Sequence, residues 1–452
     1  MKKTDVLVIG SSAAGLVAAT TGKRVYPDKQ FTVVTTMPKT LIPCGIPYIF
    51  GSIGSTDNNI LPAEKMFEAS GIDLIYDEVV KLDCENKIAI LKDGSTIEWE
   101  KLVLGIGSLP NKPAWLTGVG LENVFTIPKD KEYLDKIQKK LEDCRKIIVI
   151  GAGFIGVEIS DELHKAGKNV TLIEKLPHIL GLAFDEDISV MAESLLKTRG
   201  LDIRTGVSVK EIKGEKMVEG VILEDGKILE ADAVILALGY HPNTEMAKSS
   251  CIEVTDNGFI KVDEYMRTID PDIFAVGDCA EKKDFITRKQ SSVMLASTAC
   301  AEARIAGMNL YKLSAIKTFS GTISIFSTAF GDTGFGVAGL TETVAKNEGF
   351  DFVIGKFEGI DRHPGTLKDT HKQFVKLIVG REAGVILGGE VSGGLSTGEL
   401  VNTIGIIIEN RMTLNALFTS QVGSHPLLTA SPAGYPLIKA AEDASNKIRH
   451  TK

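Results

Sequence analysis

The chain has 452 residues, with 51 Lys and Arg against 59 Asp and Glu, so its formal charge is −8. That acidity disfavours nucleic-acid backbones and anionic membranes as partners, and 44% hydrophobic residues exclude global disorder. No apolar run reaches the roughly 18 residues of a membrane span. None of the six cysteines forms a C-x-x-C pair, so no metal site is indicated, and free thiols in a reducing cytoplasm are expected.

Asp5-Val6-Leu7-Val8-Ile9-Gly10 predicts a first strand. It runs into a small-residue turn, Gly10-Ser11-Ser12-Ala13-Ala14-Gly15, then a helix, then a second strand over Phe31–Val34. The turn is a degenerate G-x-G-x-x-G, with Ser12 at the middle glycine. Thr35 stands where an acidic residue would meet a ribose, and offers one hydrogen bond instead. Cys44 follows, in Leu41-Ile42-Pro43-Cys44-Gly45-Ile46-Pro47-Tyr48. A helix opening at Gly45 would put its sulfur near a helix N-terminus and lower the thiol pKa. The other five cysteines are expected to be structural.

Hairpin signals stand at Asp93-Gly94 and Asp225-Gly226, ahead of strands ending in Gly105-Ile106-Gly107 and Gly239. Between them Lys146–Ile150 leads into a full G-x-G-x-x-G, Gly151-Ala152-Gly153-Phe154-Ile155-Gly156. The first glycine makes the turn, the second admits a pyrophosphate, and the third packs helix on strand. Glu174, at the end of the next strand, completes the fingerprint and favours NADH; Lys175 beside it leaves NADPH possible. Asp272–Asp278 reads as a further buried strand ending in Gly277-Asp278. From about Ser320 short strands such as Phe374–Val379 predict a separate antiparallel α+β unit.

With two dinucleotide units, a late Gly-Asp strand and a single Cys after the first unit, the chain resembles the flavin-dependent pyridine nucleotide–disulfide oxidoreductases. It is most similar to their single-cysteine branch of NADH oxidases, NADH peroxidases, coenzyme A disulfide reductases and persulfide or polysulfide reductases. The resemblance implies an α/β fold with two Rossmann-like dinucleotide-binding domains and a C-terminal α+β dimerisation domain. FAD would occupy residues 1–110 and 245–320, NADH residues 111–244, and residues 321–452 would form a homodimer interface. It assigns cofactor binding to Gly10, Ser11, Ser12, Ala13, Ala14, Gly15, Thr35, Thr36, Gly107, Gly151, Gly153, Phe154, Ile155, Gly156, Glu174, Gly239, Gly277, Asp278 and Ala296. Phe154 either covers the flavin or packs helix on sheet.

Cys44 would be the redox-active residue. Ile49 stands where dithiol members carry a second Cys, which excludes glutathione- or lipoamide-type chemistry. Ala13 replaces the His of the oxidases and peroxidases, as in the coenzyme A disulfide reductases. Lys23 and Arg24 match basic residues for coenzyme A phosphates, and Tyr48, His363 and His425 complete the substrate set. Tyr435 is the first choice of proton donor, with His425 and His363 as the others. The implied reaction is NADH-driven reduction of a coenzyme A disulfide, persulfide or polysulfide. The alternatives are oxygen reduction, reduction of a protein acceptor, or a non-catalytic flavin- or NADH-sensing role.

Overall fold

The computed structural model describes residues 1–250, 252–313 and 318–450, so Cys251 lies outside the described residues. Lys2–Ile9 pairs in parallel with Phe31–Thr35 on one side and Thr96–Leu104 on the other, with Val8 opposite Val33 and Val103. Val6, Leu7 and Val8 are fully buried in succession, so the middle of the sheet is covered on both faces. Asp73–Tyr76 extends one edge, while Ile88–Leu91 and Val79–Asp83 extend the other through an antiparallel meander. Gly94 holds φ +87° in that hairpin, a conformation that suits glycine. Ile273–Ala275 returns from far along the chain to pair with Thr96–Leu104.

Helix α1 (Ala13–Val25) follows the first strand, and α2 (Ala63–Ala69) lies beside it. The second sheet is parallel, in the order Asp202–Arg204, Asn169–Ile173, Lys146–Ile150, Ala233–Leu236, Val124–Thr126. Helices α3 (Lys131–Glu142), α4 (Phe154–Lys165) and α5 (Glu186–Thr198) belong to this unit. Ser108–Pro110 and Tyr240–Pro242 pair as a two-stranded bridge where the chain passes between the two units. The short α6 (Glu245–Lys248) precedes the return. Helix α7 (Ala296–Met308) then crosses α1 closely. A Cβ on Gly307 would meet Ala18 O at 2.8 Å, so only a small residue permits that crossing.

The third sheet is antiparallel throughout, in the order Phe326–Phe330, Thr333–Gly339, Ile386–Gly393, Lys372–Gly380, Phe352–Ile360. It joins the second unit through a buried charge cluster. Lys376 is fully buried, and its ammonium lies 2.8 Å from Asp185, 2.9 Å from Asp187 and 2.5 Å from Glu390. Asp185 precedes α5, yet its carboxylate accepts from Glu342 N and Thr343 N at the start of α8 (Glu342–Asn347). Asp185 N in turn donates to Glu390 at 2.7 Å. The carboxylates are close enough together to hold a cation, and the Lys376 ammonium takes that place. Among the described residues no helix is long and apolar enough to cross a membrane.

Candidate active site

The first glycine-rich turn is tight for steric reasons. Gly10 sits at φ +108°, where a Cβ would meet Gly105 O at 2.3 Å, and a Cβ on Gly15 would meet Gly10 O at 1.9 Å. Ser12 is the N-cap of α1 but its side chain does not bond the helix. The first N–H groups of α1, from Ala13, Ala14 and Gly15, are therefore free of a side-chain cap and suit a pyrophosphate. Gly277, at φ +81°, brings its turn onto α1, since a Cβ there would lie 2.9 Å from Ala14 Cβ and 3.5 Å from Ala299 Cβ. The α1 turn, the Gly277-Asp278 turn and the start of α7 at Ala296 thus converge. Gly107 opens onto unfilled space, with no atom within 4 Å of its Cβ position.

One expectation is corrected here. Thr35 does not present its hydroxyl to a ribose: it is buried, and that hydroxyl lies 2.8 Å from Ser11 Oγ, which also lies 2.8 Å from Thr40 Oγ1. These three side chains satisfy one another inside the turn. Thr36, the next residue, is the exposed one.

The second turn repeats the design. Gly151 holds φ +100° with Ala237 O 2.5 Å from its Cβ position, and a Cβ on Gly156 would meet Gly151 O at 1.9 Å. Gly153 caps α4 with nothing within 4 Å of its Cβ position. Glu174 braces this turn, accepting from Ala152 N at 2.7 Å and Leu176 N at 2.9 Å. Phe154 stacks on Phe326 of the third sheet, 5.1 Å between centroids, with Phe184 edge-on. Ile155, half-buried, packs beside it on the second core. Gly239 holds φ +81° just before the two-stranded bridge. Glu174→Ala is expected to raise the NADH Michaelis constant about tenfold, the worth of one charged hydrogen-bonding partner. Steady-state kinetics check this, and an unaltered constant removes the assignment.

Cys44 does not stand at the start of an α-helix. Pro43–Gly45 and Pro47–Phe50 are two short 3-10 turns, with Cys44 in the middle of the first. The prolines set the turns, and Gly45 leaves room for Asn59, whose Oδ1 would lie 2.0 Å from a Cβ. No helix dipole therefore lowers the thiol pKa. Cys44 keeps an exposed face, but burial of the rest and the nearby Glu158 push the thiol up, with Lys129 pulling the other way. Tyr48 is half-buried beside it, its phenol also raised by burial and then by Glu158.

Four residues that sequence reasoning missed line this region. Glu158 on α4 accepts from Thr328 Oγ1 at 2.9 Å, and burial raises its carboxyl to about 7. Asp278 accepts from Ser108 Oγ at 2.7 Å and from Lys129 Nζ at 2.6 Å. Burial opposes ionisation of Asp278, and Lys129 with Ser108 outweighs it, holding the carboxyl below its usual range. Glu158 was visible as the first of an acidic pair, Glu158 and Glu162, spaced one helical turn apart after the glycines. Lys129, Ser108 and Thr328 carried no local signal. Glu162 holds the Cys44 segment to α4, accepting from Ser52 N and, at 2.9 Å, from Ser52 Oγ. Cys84, Cys144 and Cys279 bond to backbone carbonyls, as structural cysteines do. Cys300 is half-buried on α7 and within electrostatic reach of Cys44, so it belongs to the site's surroundings.

The substrate candidates are dispersed. Lys23 corrects another expectation, because its ammonium donates to Pro27 O and Lys29 O at 2.8 Å each and closes the end of α1. Arg24 beside it is exposed. Tyr435, His363 and His425 all belong to the third unit. Tyr435 packs on that unit's core, and burial raises its phenol. His363 lies 3.2 Å from Thr429 O, which ties its loop to the one carrying His425.

A family model described as pyridine nucleotide-disulphide oxidoreductase matches residues 4–303, and the corresponding dimerisation domain matches residues 325–433. A protein named NAD(P)H sulfur oxidoreductase (CoA-dependent), from Pyrococcus abyssi, is 32% identical over 98% of each chain. One named NADH oxidase, from Methanocaldococcus jannaschii, is 31% identical over 98% of this chain and 99% of its own. The structure of an NAD-dependent persulfide reductase from A. fulgidus superposes with a TM-score of 0.90 at 29% identity, covering 99% of this chain and 84% of that one.

Proposed function

The chain belongs to the pyridine nucleotide–disulfide oxidoreductases, and from that premise we propose that it spends NADH on reducing a sulfur–sulfur bond at Cys44. The observation that carries this is the exposed Cys44 thiol, in a turn whose fifth following residue is the fully buried Ile49. Such a site forms a disulfide with a substrate rather than within itself.

The residues present fit both cofactors of the family. The cradle at Gly10, Gly15 and Gly277, which any Cβ would fill, with Asp278 beyond it, would hold FAD. The open Gly153 turn and Glu174 would hold NADH. FAD supplies the conversion of a nicotinamide hydride into an electron pair for sulfur. The protein's own part begins with the Cys44 thiolate, which attacks one sulfur of R–S–S–R′ and expels R′–S⁻. The resulting Cys44–S–S–R bond takes up two electrons and separates into the Cys44 thiolate and R–S⁻. NADH, R–S–S–R′ and one proton thus give NAD⁺, R–SH and R′–SH.

The departing thiolates need a proton. Tyr435, His363 and His425 lie in the third unit, so a second copy of the chain would bring them to Cys44 in a homodimer. The substrate class is a coenzyme A disulfide, a persulfide or a polysulfide, handled in the cytoplasm. Anaerobic NADH consumption by the FAD-loaded protein with coenzyme A disulfide or persulfide tests this, and rapid turnover is expected. The name of the Methanocaldococcus relative favours oxygen as the second candidate acceptor. No sulfur-dependent turnover, with NADH consumed only in air, would establish that reading instead.

A further inference from the structure

The turn that carries Cys44 closes where Gly45 N donates to Ile42 O at 3.0 Å. That same carbonyl oxygen accepts a second bond, from Asn59 Nδ2 at 3.0 Å. We propose that Asn59 is the positioning residue of the reactive sulfur: its side-chain amide fixes the Cys44 turn, and with it the place where the sulfur stands. The inference deepens the reading of Cys44 as the reactive thiol and rests on it.

Asn59 holds the turn on both sides of Cys44. Its Nδ2 donates to Ile42 O, and its backbone O accepts from Ile42 N at 3.0 Å. Its Oδ1 lies over Gly45, 2.0 Å from where a Cβ would stand. The flanking backbone keeps this register, since Leu41 pairs with Ile60 as an antiparallel bridge and Leu61 N donates to Thr40 O at 2.9 Å. Asn59 is 2% exposed. A leucine would fill that place without the cost of burying an amide, so what the amide adds is the bond to Ile42 O.

Asn59 is itself held from outside the turn. It ends the 3-10 helix Thr56–Asn59, whose N-cap Ser55 accepts from Asp57 N at 3.1 Å. Thr56 bonds Asp135, and Asp57 pairs with Lys131 at 3.0 Å, both partners lying on α3. Gln138 and Glu162 hold the segment further on, at Ile49 and Ser52, whereas Asn59 holds the turn of the thiol itself. Such contacts matter because a nucleophile reacts from about 3–3.5 Å, and a shift of about 1 Å can cost about a hundredfold.

The test separates the two half-reactions. FAD-loaded protein is reduced with NADH in the absence of oxygen, then mixed with coenzyme A disulfide, and the flavin absorbance is followed by stopped flow. Asn59→Ala should slow the sulfur half about tenfold and leave flavin bleaching by NADH within about twofold of the wild type. Gly45→Ala loads the same contact from the other side, because its methyl meets Asn59 Oδ1, and should slow the sulfur half by a similar factor. Asn59→Ala removes that obstacle, so adding Gly45→Ala to it should cost less than about twofold more. An unchanged sulfur half in Asn59→Ala, equal slowing of both halves, or a Gly45→Ala loss that is the same in both backgrounds would each overturn the proposal. Wild-type protein whose reduced form is not reoxidised by coenzyme A disulfide would instead overturn the reading on which it rests.

Discussion

Cys44→Ser should lower NADH-driven reduction of a sulfur–sulfur bond by about a thousandfold or more, the cost of removing a nucleophile that forms a covalent intermediate. A serine hydroxyl neither ionises near neutral pH nor forms a mixed disulfide. No neighbour takes over, because the fifth residue on is Ile49, buried and apolar. Cys300, half-buried on α7, is not the replacement either, because burial raises its thiol. NADH should still bleach the bound flavin in this variant, since neither glycine-rich turn is touched. Stopped-flow reduction by NADH, followed by anaerobic mixing with coenzyme A disulfide, separates the two halves. Retained sulfur reduction would remove the thiol from the mechanism.

The second large effect is on stability. Lys376→Met should cost about 3–5 kcal/mol, the range for removing one partner of a buried ion pair. The methionine fills the space, but Asp185, Asp187 and Glu390 lose their shared ammonium. The pH dependence has a definite sign. In the native protein burial lifts the Glu390 carboxyl from 4.5 to about 8, so its contribution favours folding at low pH and is lost as pH rises towards 8. Asp185 is the opposite case. Burial works against its ionisation, but Lys376 and the α8 N–H groups hold its carboxyl well below the usual range, and its contribution is lost only in acid. Without Lys376 all three carboxylates resist ionisation. The deficit of the variant should therefore be largest near pH 8 and smallest near pH 5. Thermal unfolding at the two pH values checks this, and an equal deficit at both would sink the electrostatic account.

Much of this architecture is legible in the chain itself. Apolar runs ending in glycine mark the parallel strands, because a strand covered on both faces carries no polar residues to disguise it. The two glycine-rich turns follow from the steric demand on Gly10, Gly15, Gly151 and Gly156. Where the sequence misled, a side chain had a local alternative. Thr35 had Ser11 as a partner, Lys23 had two carbonyls at the end of its own helix, and the prolines around Cys44 held it in 3-10 turns. What stayed hidden was built from distance. Lys129 and Asp278 lie 149 positions apart, and Glu158 and Thr328 lie 170 apart, so no local pattern announces either pair.

The attachment of Ser52 to Glu162 bears on how such enzymes can be engineered. The helix that opens at the coenzyme's glycines also carries Glu158 and Glu162, one acting on the thiol and the other anchoring its segment. The second glycine-rich turn and the surroundings of the thiol thus share a single element. A chimera that imports a foreign nucleotide module imports its cysteine environment as well. Changing the coenzyme alone calls for point changes around Glu174, with α4 left native.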